Sequence, residues 1–168
     1  MSTRRRMGFY ERTLERIART PAGYWYLKRI APHLDTPLLR LTGGRISSMY
    51  PASVLLLTTI GARSGLPRTI PLLCIPDTDH IILVASNYGG NSHPAWYRNL
   101  IGNPTVEVLA GSRSGTYLAS EITDPDERER AWNLALDRYA GFDDYETRAT
   151  DRAIPLVRLE RTDAGPTR

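Results

Sequence analysis

The chain has 168 residues, 41% of them hydrophobic and 24% charged, with a single cysteine. That length suits one domain with one core, one thiol excludes an internal disulfide, and no apolar run approaches the roughly 18 residues of a membrane span. The net charge of +4 is unevenly spread: residues 1–45 carry ten Arg or Lys against three acids, and the remainder twelve against fifteen.

A basic arm on a mildly acidic domain points to an anionic surface as partner. No hydrophobic segment follows the basic N-terminus, so the expected location is the cytoplasm. In chain order, Tyr10, Leu14 and Ile17 recur at helical spacing and predict an amphipathic helix over Phe9–Arg19. A second short helix is expected over Tyr24–Ile30, ended near Pro32, with Pro37 and Gly43-Gly44 marking a linker. The boundary of a helical arm (1–45) and a main domain (46–168) is placed there.

The remainder reads as β-rich. Strands are expected at Val54–Thr59, Thr69–Ile75, His80–Ser86, Val106–Ala110, Thr116–Ile122 and Ile154–Glu160. Turns fall at 61–67, at Pro76–Asp79 and at 111–115. One short helix is expected over Pro94–Leu100. Another starts at Asp124, with Pro125 at its first position and acids behind it, and closes at Gly141. Six short strands, two interposed helices and no βαβ rhythm predict a mainly β, α+β fold: a small barrel with helices outside.

Four segments carry chemistry. In Gly61-Ala62-Arg63-Ser64-Gly65-Leu66-Pro67-Arg68-Thr69, two glycines permit a tight loop, and two arginines flank it with forks suited to phosphate or carboxylate. The P-loop ending Gly-Lys-Ser/Thr is absent. In Val84-Ala85-Ser86-Asn87-Tyr88-Gly89-Gly90 a strand runs into small residues that let a flat ring approach the backbone. In His93-Pro94-Ala95-Trp96-Tyr97 an indole beside a phenol offers a wall for a conjugated ring. Tyr139, Phe142, Tyr145 and Arg152 form a fourth group that reads as a lid. Each segment alone is explained as well by a solvated turn, a strand exit or core packing. His33, His80, His93 and Cys74 show no metal-ligand spacing, and no metal is expected. Cys74, in an apolar run, reads as a buried, inert thiol.

Taken together and in order, these segments resemble the deazaflavin (F420)-dependent nitroreductase family, also described as F420H2-dependent quinone reductases. The resemblance runs from Asp35…Thr42-Gly43-Gly44-Arg45 through Leu55-Leu56-Leu57-Thr58-Thr59 and the arginine turn. It continues through Val84–Asn87, His93-Pro94-Ala95-Trp96-Tyr97-x-Asn99-Leu100-x-x-Asn103-Pro104 and Thr150-Asp151-Arg152-x-Ile154-Pro155. It implies a split β-barrel similar to the flavin-mononucleotide-binding barrels, an actinobacterial source, and coenzyme F420 with its flat ring, phosphodiester and oligoglutamate tail. By resemblance, Arg63, Ser64, Gly65 and Arg68 would meet the phosphate and tail. Thr69, Pro71, Leu72 and the Ala85-Ser86-Asn87 exit would face the ring, and Pro94, Ala95, Trp96 and Tyr97 would close the cofactor side. Arg63 stands where many members have Lys. Tyr88, at a position often Gly or Lys, would narrow the mouth of a substrate site shared with Trp96, Tyr139 and Tyr145.

The implied reaction passes hydride from reduced F420 to a quinone-like or nitroaromatic acceptor. Charge appearing on an acceptor oxygen needs a donor, and Tyr145, Tyr139 and Ser86 are the candidates. A lipophilic acceptor suits peripheral contact of residues 1–30 with the inner face of the cell membrane, and a homodimer is compatible. The competing readings are a flavin-mononucleotide barrel oxidoreductase and a non-catalytic deazaflavin carrier. Nucleic-acid binding is not expected, because the strands lack an alternating aromatic-basic face.

Overall fold

A computed structural model describes residues 20, 22, 23, 25, 30–48 and 53–162. The helices expected over Phe9–Arg19 and Tyr24–Ile30 lie almost wholly outside the described residues.

The first described helix, α1 (Ala31–Leu41), corrects the expected linker. Pro32 falls in its first turn, where the missing N–H has no partner to lose. Pro37 lies inside and deletes one backbone bond. Burial of Leu39 against Val54 and Leu56 offsets that loss. Gly43-Gly44 is a helix cap: Gly44 N–H donates to Leu39 O at 2.7 Å and Gly43 N–H to Arg40 O at 3.4 Å. Gly43 takes φ +63 and Gly44 φ +80, as this double cap requires. Asp35, 1% exposed, accepts the Ser48 N–H at 2.6 Å and ties the following segment back to the helix.

Seven strands follow: β1 (Val54–Ile60), β2 (Pro67–Leu73), β3 (Ile75–Asp77), β4 (His80–Val84), β5 (Thr105–Leu109), β6 (Gly115–Glu121) and β7 (Leu156–Arg161). They make one sheet of order β2-β1-β5-β6-β7-β4-β3 with every pairing antiparallel. The expected second strand is therefore two. Cys74 separates β2 from β3, which lie at opposite margins of the sheet. One residue thus joins the two margins, and the sheet curls into a split barrel. The Cys74 thiol is buried there, and its pKa is pushed up to about 11 by burial, against the nearby charges of Arg138 and Arg113.

Period-two alternation fills both faces. Leu55, Leu57, Ile81, Leu83, Val106, Val108, Tyr117, Ala119, Val157 and Leu159 form the interior. The helix α2 (Ala95–Gly102) adds Trp96, Tyr97 and Leu100 to that cluster. On the outside, α1 covers Val54, Leu56 and Leu109. Two further helices, α3 (Pro125–Arg138) and α4 (Gly141–Arg148), cover Ile75, Ile82 and Leu156. The start of α3 is as expected, with Asp124 accepting the Glu127 N–H at 2.9 Å. Gly141 opens α4 instead of closing α3, a second correction. The Tyr139 ring occupies the space a side chain at Gly141 would need, at 2.2 Å, so any larger residue there has to displace that ring.

The strand exit after β4 is held by one side chain. Arg152 donates to Gly90 O (2.9 Å), Ser86 O (2.7 Å), Ala85 O (3.3 Å) and Ala153 O (3.4 Å), and meets His93 Nδ1 at 3.2 Å. Because guanidinium only donates, Nδ1 of His93 is the acceptor and its proton sits on Nε2. Burial first, then the charges of Arg152 and Arg98, against Glu121, lower the His93 pKa below the ordinary 6.5. The Tyr97 ring also faces it, at 5.1 Å.

Two predictions follow from this packing. A Cβ at Gly44 would stand 2.7 Å from backbone atoms of Ala110 and Gly111, whereas one at Gly43 would meet nothing within 4 Å. Urea denaturation should show Gly43→Ala costing about 1 kcal/mol for its left-handed backbone and Gly44→Ala about 2–4 kcal/mol. The depressed His93 pKa means that below about pH 6.5 the unfolded chain binds the extra proton first. Its contribution is therefore complete above that pH and is lost as pH falls toward the folded-state value. Melting temperatures taken from about pH 7.5 down to about 5 should fall more steeply for the natural chain than for His93→Gln.

Candidate active site

The arginine turn closes on itself. Gly61 N–H donates to Leu66 O at 2.9 Å, and Ser64 and Gly65 N–H both donate to Gly61 O, at 3.2 and 2.8 Å. A Cβ on Gly61 would collide with Ser64 Oγ at 2.6 Å. Gly65 takes φ +66. Arg63, Ser64 and Arg68 are all exposed. The turn meets α2 through Asn99, whose Oδ1 accepts the Ala62 N–H at 3.1 Å and whose Nδ2 donates to Thr59 Oγ1 at 3.0 Å. The first and third sequence blocks are thereby joined.

The β1–β2 register divides the expected ring-facing strand. Ile70 and Leu72 pair with Leu57 and Leu55 and pack on the interior cluster. Thr69 and Pro71 pair with Thr58 and Leu56 on the opposite face, where the Thr58 and Thr69 hydroxyls meet at 2.9 Å. Thr69, Pro71 and Leu72 therefore do not share one surface, because alternation sends neighbours to opposite faces. Register places Arg68 opposite Thr59 on the interior-facing side.

The Ser86 turn is strained. Asn87 (φ +47), Tyr88 (φ +56) and Gly89 (φ +77) are consecutive left-handed residues, and an aromatic there is costly. Its surroundings enforce it. Arg152 holds the flanking carbonyls, Asn87 Nδ2 donates to Ser92 O at 2.9 Å, and Gly89 packs against Tyr145, whose carbonyl would be 2.9 Å from an added Cβ. Ala85 and Ser86 are buried. Among the described residues, the Ser86 hydroxyl has no hydrogen-bond partner, although its carbonyl has two.

An aromatic group packs beside this turn. Tyr88 meets Tyr145 edge-on at 5.9 Å, and Phe142 lies 6.1 Å from Tyr145. The Tyr139 and Tyr145 hydroxyls are 3.3 Å apart. Burial, then the neighbouring Tyr139, raises the Tyr145 pKa well above the phenol range, so it stays protonated at any working pH. Tyr145 is 6% exposed and Tyr139 half-buried.

The structure sends part of the third block inward. Trp96 and Tyr97 belong to the barrel interior, and the Tyr97 phenol donates to Glu121 Oε2 at 2.6 Å. Burial, then that carboxylate, pushes the Tyr97 pKa up to about 12. Pro94 is half-buried and Ala95 exposed at the start of α2. Two positioning roles were not visible in the sequence, those of Asn99 and of Arg152. Their partners are largely backbone groups distant in the chain, and composition carries no signal of that kind.

Comparison with known proteins gives this arrangement a family. A profile described as F420H(2)-dependent quinone reductase matches residues 33–161. The F420H(2)-dependent quinone reductase Rv1261c of Mycobacterium tuberculosis (strain ATCC 25618 / H37Rv) is 37% identical over 141 residues, covering 77% of this chain and 93% of that protein. A solved F420-H2 dependent reductase, FDR-A, superposes with a TM-score of 0.57 at 38% identity, covering 64% of this chain and 93% of the other. A solved chain described as a domain-swapped dimer superposes with a TM-score of 0.61 at 32% identity, covering 84% and 100%. Profile, relatives and solved structures agree, and the chain belongs to the F420H(2)-dependent quinone reductase family: it is an F420H2-dependent reductase whose cofactor is coenzyme F420.

Proposed function

We propose that the chain reduces a quinone-class acceptor, with nitroaromatics as chemically equivalent substrates, at a site between the arginine turn and the Ser86 turn. The observation that carries this reading is the phenol pair of Tyr139 and Tyr145 packed against the Ser86 turn, whose own hydroxyl is unpartnered among the described residues. The residues present fit the coenzyme. Exposed guanidiniums at Arg63 and Arg68 suit an anionic tail. The glycine-containing turn after Ala85 offers a shallow wall for a flat ring.

Bound F420H2 supplies two electrons as hydride, so the protein contributes placement and electrostatics. Arg63, Ser64 and Arg68 hold the phosphate and tail in this reading. Ala85, Ser86 and Asn87 border the ring. Tyr139, the more accessible phenol, donates to the acceptor oxygen as it gains charge. Tyr145, buried and permanently protonated, donates to Tyr139 and keeps that hydroxyl aimed. A quinone and a nitro group both develop charge on an oxygen beside a planar ring, so the same donors serve either.

Titrating the protein side by side with oxidised F420 and with flavin mononucleotide tests the cofactor side of the site. Tight binding of F420 alone is expected, weakened about ten-fold or more by Arg63→Ala or Arg68→Ala. Equal binding of flavin mononucleotide would favour the flavin-barrel reading. On the acceptor side, Tyr139→Phe, Tyr145→Phe and Ser86→Ala should each lower kcat for menadione by about ten- to a hundred-fold, corresponding to ~1–3 kcal/mol, with the coenzyme's Kd unchanged. Unchanged turnover in Tyr145→Phe would remove the phenols from the mechanism.

A further inference from the structure

We propose that Asn99 is a positioning residue for the anionic end of the coenzyme: its carboxamide fixes the arginine turn to α2 and so presets the backbone that carries Arg63 relative to Arg68. The proposal rests on the reading that Arg63 and Arg68 grip the coenzyme's phosphate and tail.

The turn between β1 and β2 has little packing of its own, since residues 62–66 are all exposed. Its internal bonds, all converging on Gly61, Ser64 and Leu66, set its shape but not its direction. Pro67 and Arg68 already lie in β2, paired with Ile60 and Thr59 of β1, whereas the N-terminal limb of the turn that carries Arg63 is tied to another element by the Ala62 N–H to Asn99. The two ends of the amide fall at the two points that matter. Oδ1 takes the N–H of Ala62, the residue before Arg63, and Nδ2 donates to Thr59, the strand partner of Arg68. Thr59 is 1% exposed, so its hydroxyl is a rigid, dry anchor. The amide therefore spans from the barrel wall to the turn and fixes the backbone before Arg63 relative to the wall from which Arg68 projects, Arg68 itself being held by the β1–β2 ladder.

The energetic logic is preorganisation. A long cationic side chain on a free-swinging turn, as Arg63 would be without this bond, loses orientational freedom each time it binds an anion. A turn already fixed beside Arg63 loses less, and the difference appears as affinity for the charged end only. Among the described residues, the hydrogen bonds of Asn99 go to Ala62 and Thr59 and not to Ala85–Asn87 on the ring side of the site. A residue that merely stabilises the fold would affect both ends of the ligand alike.

The test compares two ligands by fluorescence titration: intact oxidised F420, and the deazaflavin riboside that lacks phosphate and glutamates. Asn99→Ala should weaken F420 about ten-fold while the riboside's Kd stays within about two-fold. Amide hydrogen exchange at Ala62 should quicken in the same variant. Thr59→Val, which keeps the side-chain volume but removes the anchor, should give a smaller loss of the same kind, and it serves if Asn99→Ala does not fold. An Arg63→Ala/Arg68→Ala double variant is the control. Tail-selective loss in the double variant but not in Asn99→Ala or Thr59→Val overturns the role of Asn99 alone. No tail selectivity in the double variant overturns the underlying grip and this inference with it. Equal loss for both ligands in Asn99→Ala makes Asn99 a fold residue and also overturns the proposal.

Discussion

One guanidinium holds the business end of the barrel together. Where β4 leaves the sheet, the backbone turns through three left-handed residues, and the carbonyls of Ala85, Ser86 and Gly90 lose their ladder partners. Ser86 O keeps the Gly89 N–H as a second donor, but the Ala85 and Gly90 carbonyls left unpaired in this half-buried turn would each cost on the order of 1–3 kcal/mol. Arg152, arriving from the segment before β7, serves all three and the His93 ring. Arginine suits the task because its planar fork donates in several directions and never gives up its charge. Lysine in that place would offer one point charge and fewer directed donors.

That clamp explains why the site tolerates strain. A tyrosine at φ +56 survives only where neighbouring contacts over-determine it. Here the contacts are Arg152 on the backbone, Gly89 against Tyr145, and the edge of one phenol on the face of another. Strain and clamp together fix the backbone of the Ser86 turn. The arginine turn is governed by a different device, a neutral amide reaching from α2. The two turns are thus held independently, one by charge and one by an uncharged bridge.

The positions of most strands, the helix start at Asp124 and the hairpin across 111–115 were legible because each depends on local residue chemistry. Alternating apolar residues, a capping acid and paired glycines act over a few positions. The failures also have physical causes. Pro37 and the two glycines after Leu41 read as a linker, yet burial of Leu39 outweighs the lost helix bond and the glycines form a cap. Gly141 reads as a helix end, but the Tyr139 ring folds over it and a new helix starts. Leu72 was grouped with Thr69 and Pro71, and only the pairing register reveals that it points the other way. Trp96 could wall a pocket or fill a core on sequence grounds, and its surroundings in the interior were beyond reach of spacing.

The place of β7 has a consequence for how the chain comes to be folded during synthesis. It is the last described strand to leave the ribosome, yet it lies between β6 and β4, with Ala119 and Ile81 both opposite Leu159. Until it arrives, two strands present bare hydrogen-bonding margins, and the nascent chain carries a sheet in two pieces. Contacts such as Ile81 with Leu159 span much of the sequence, so closure is a late, slow event. The segment bringing β7 also brings Arg152, so the strained rim of the site is secured only in the step that seals the barrel.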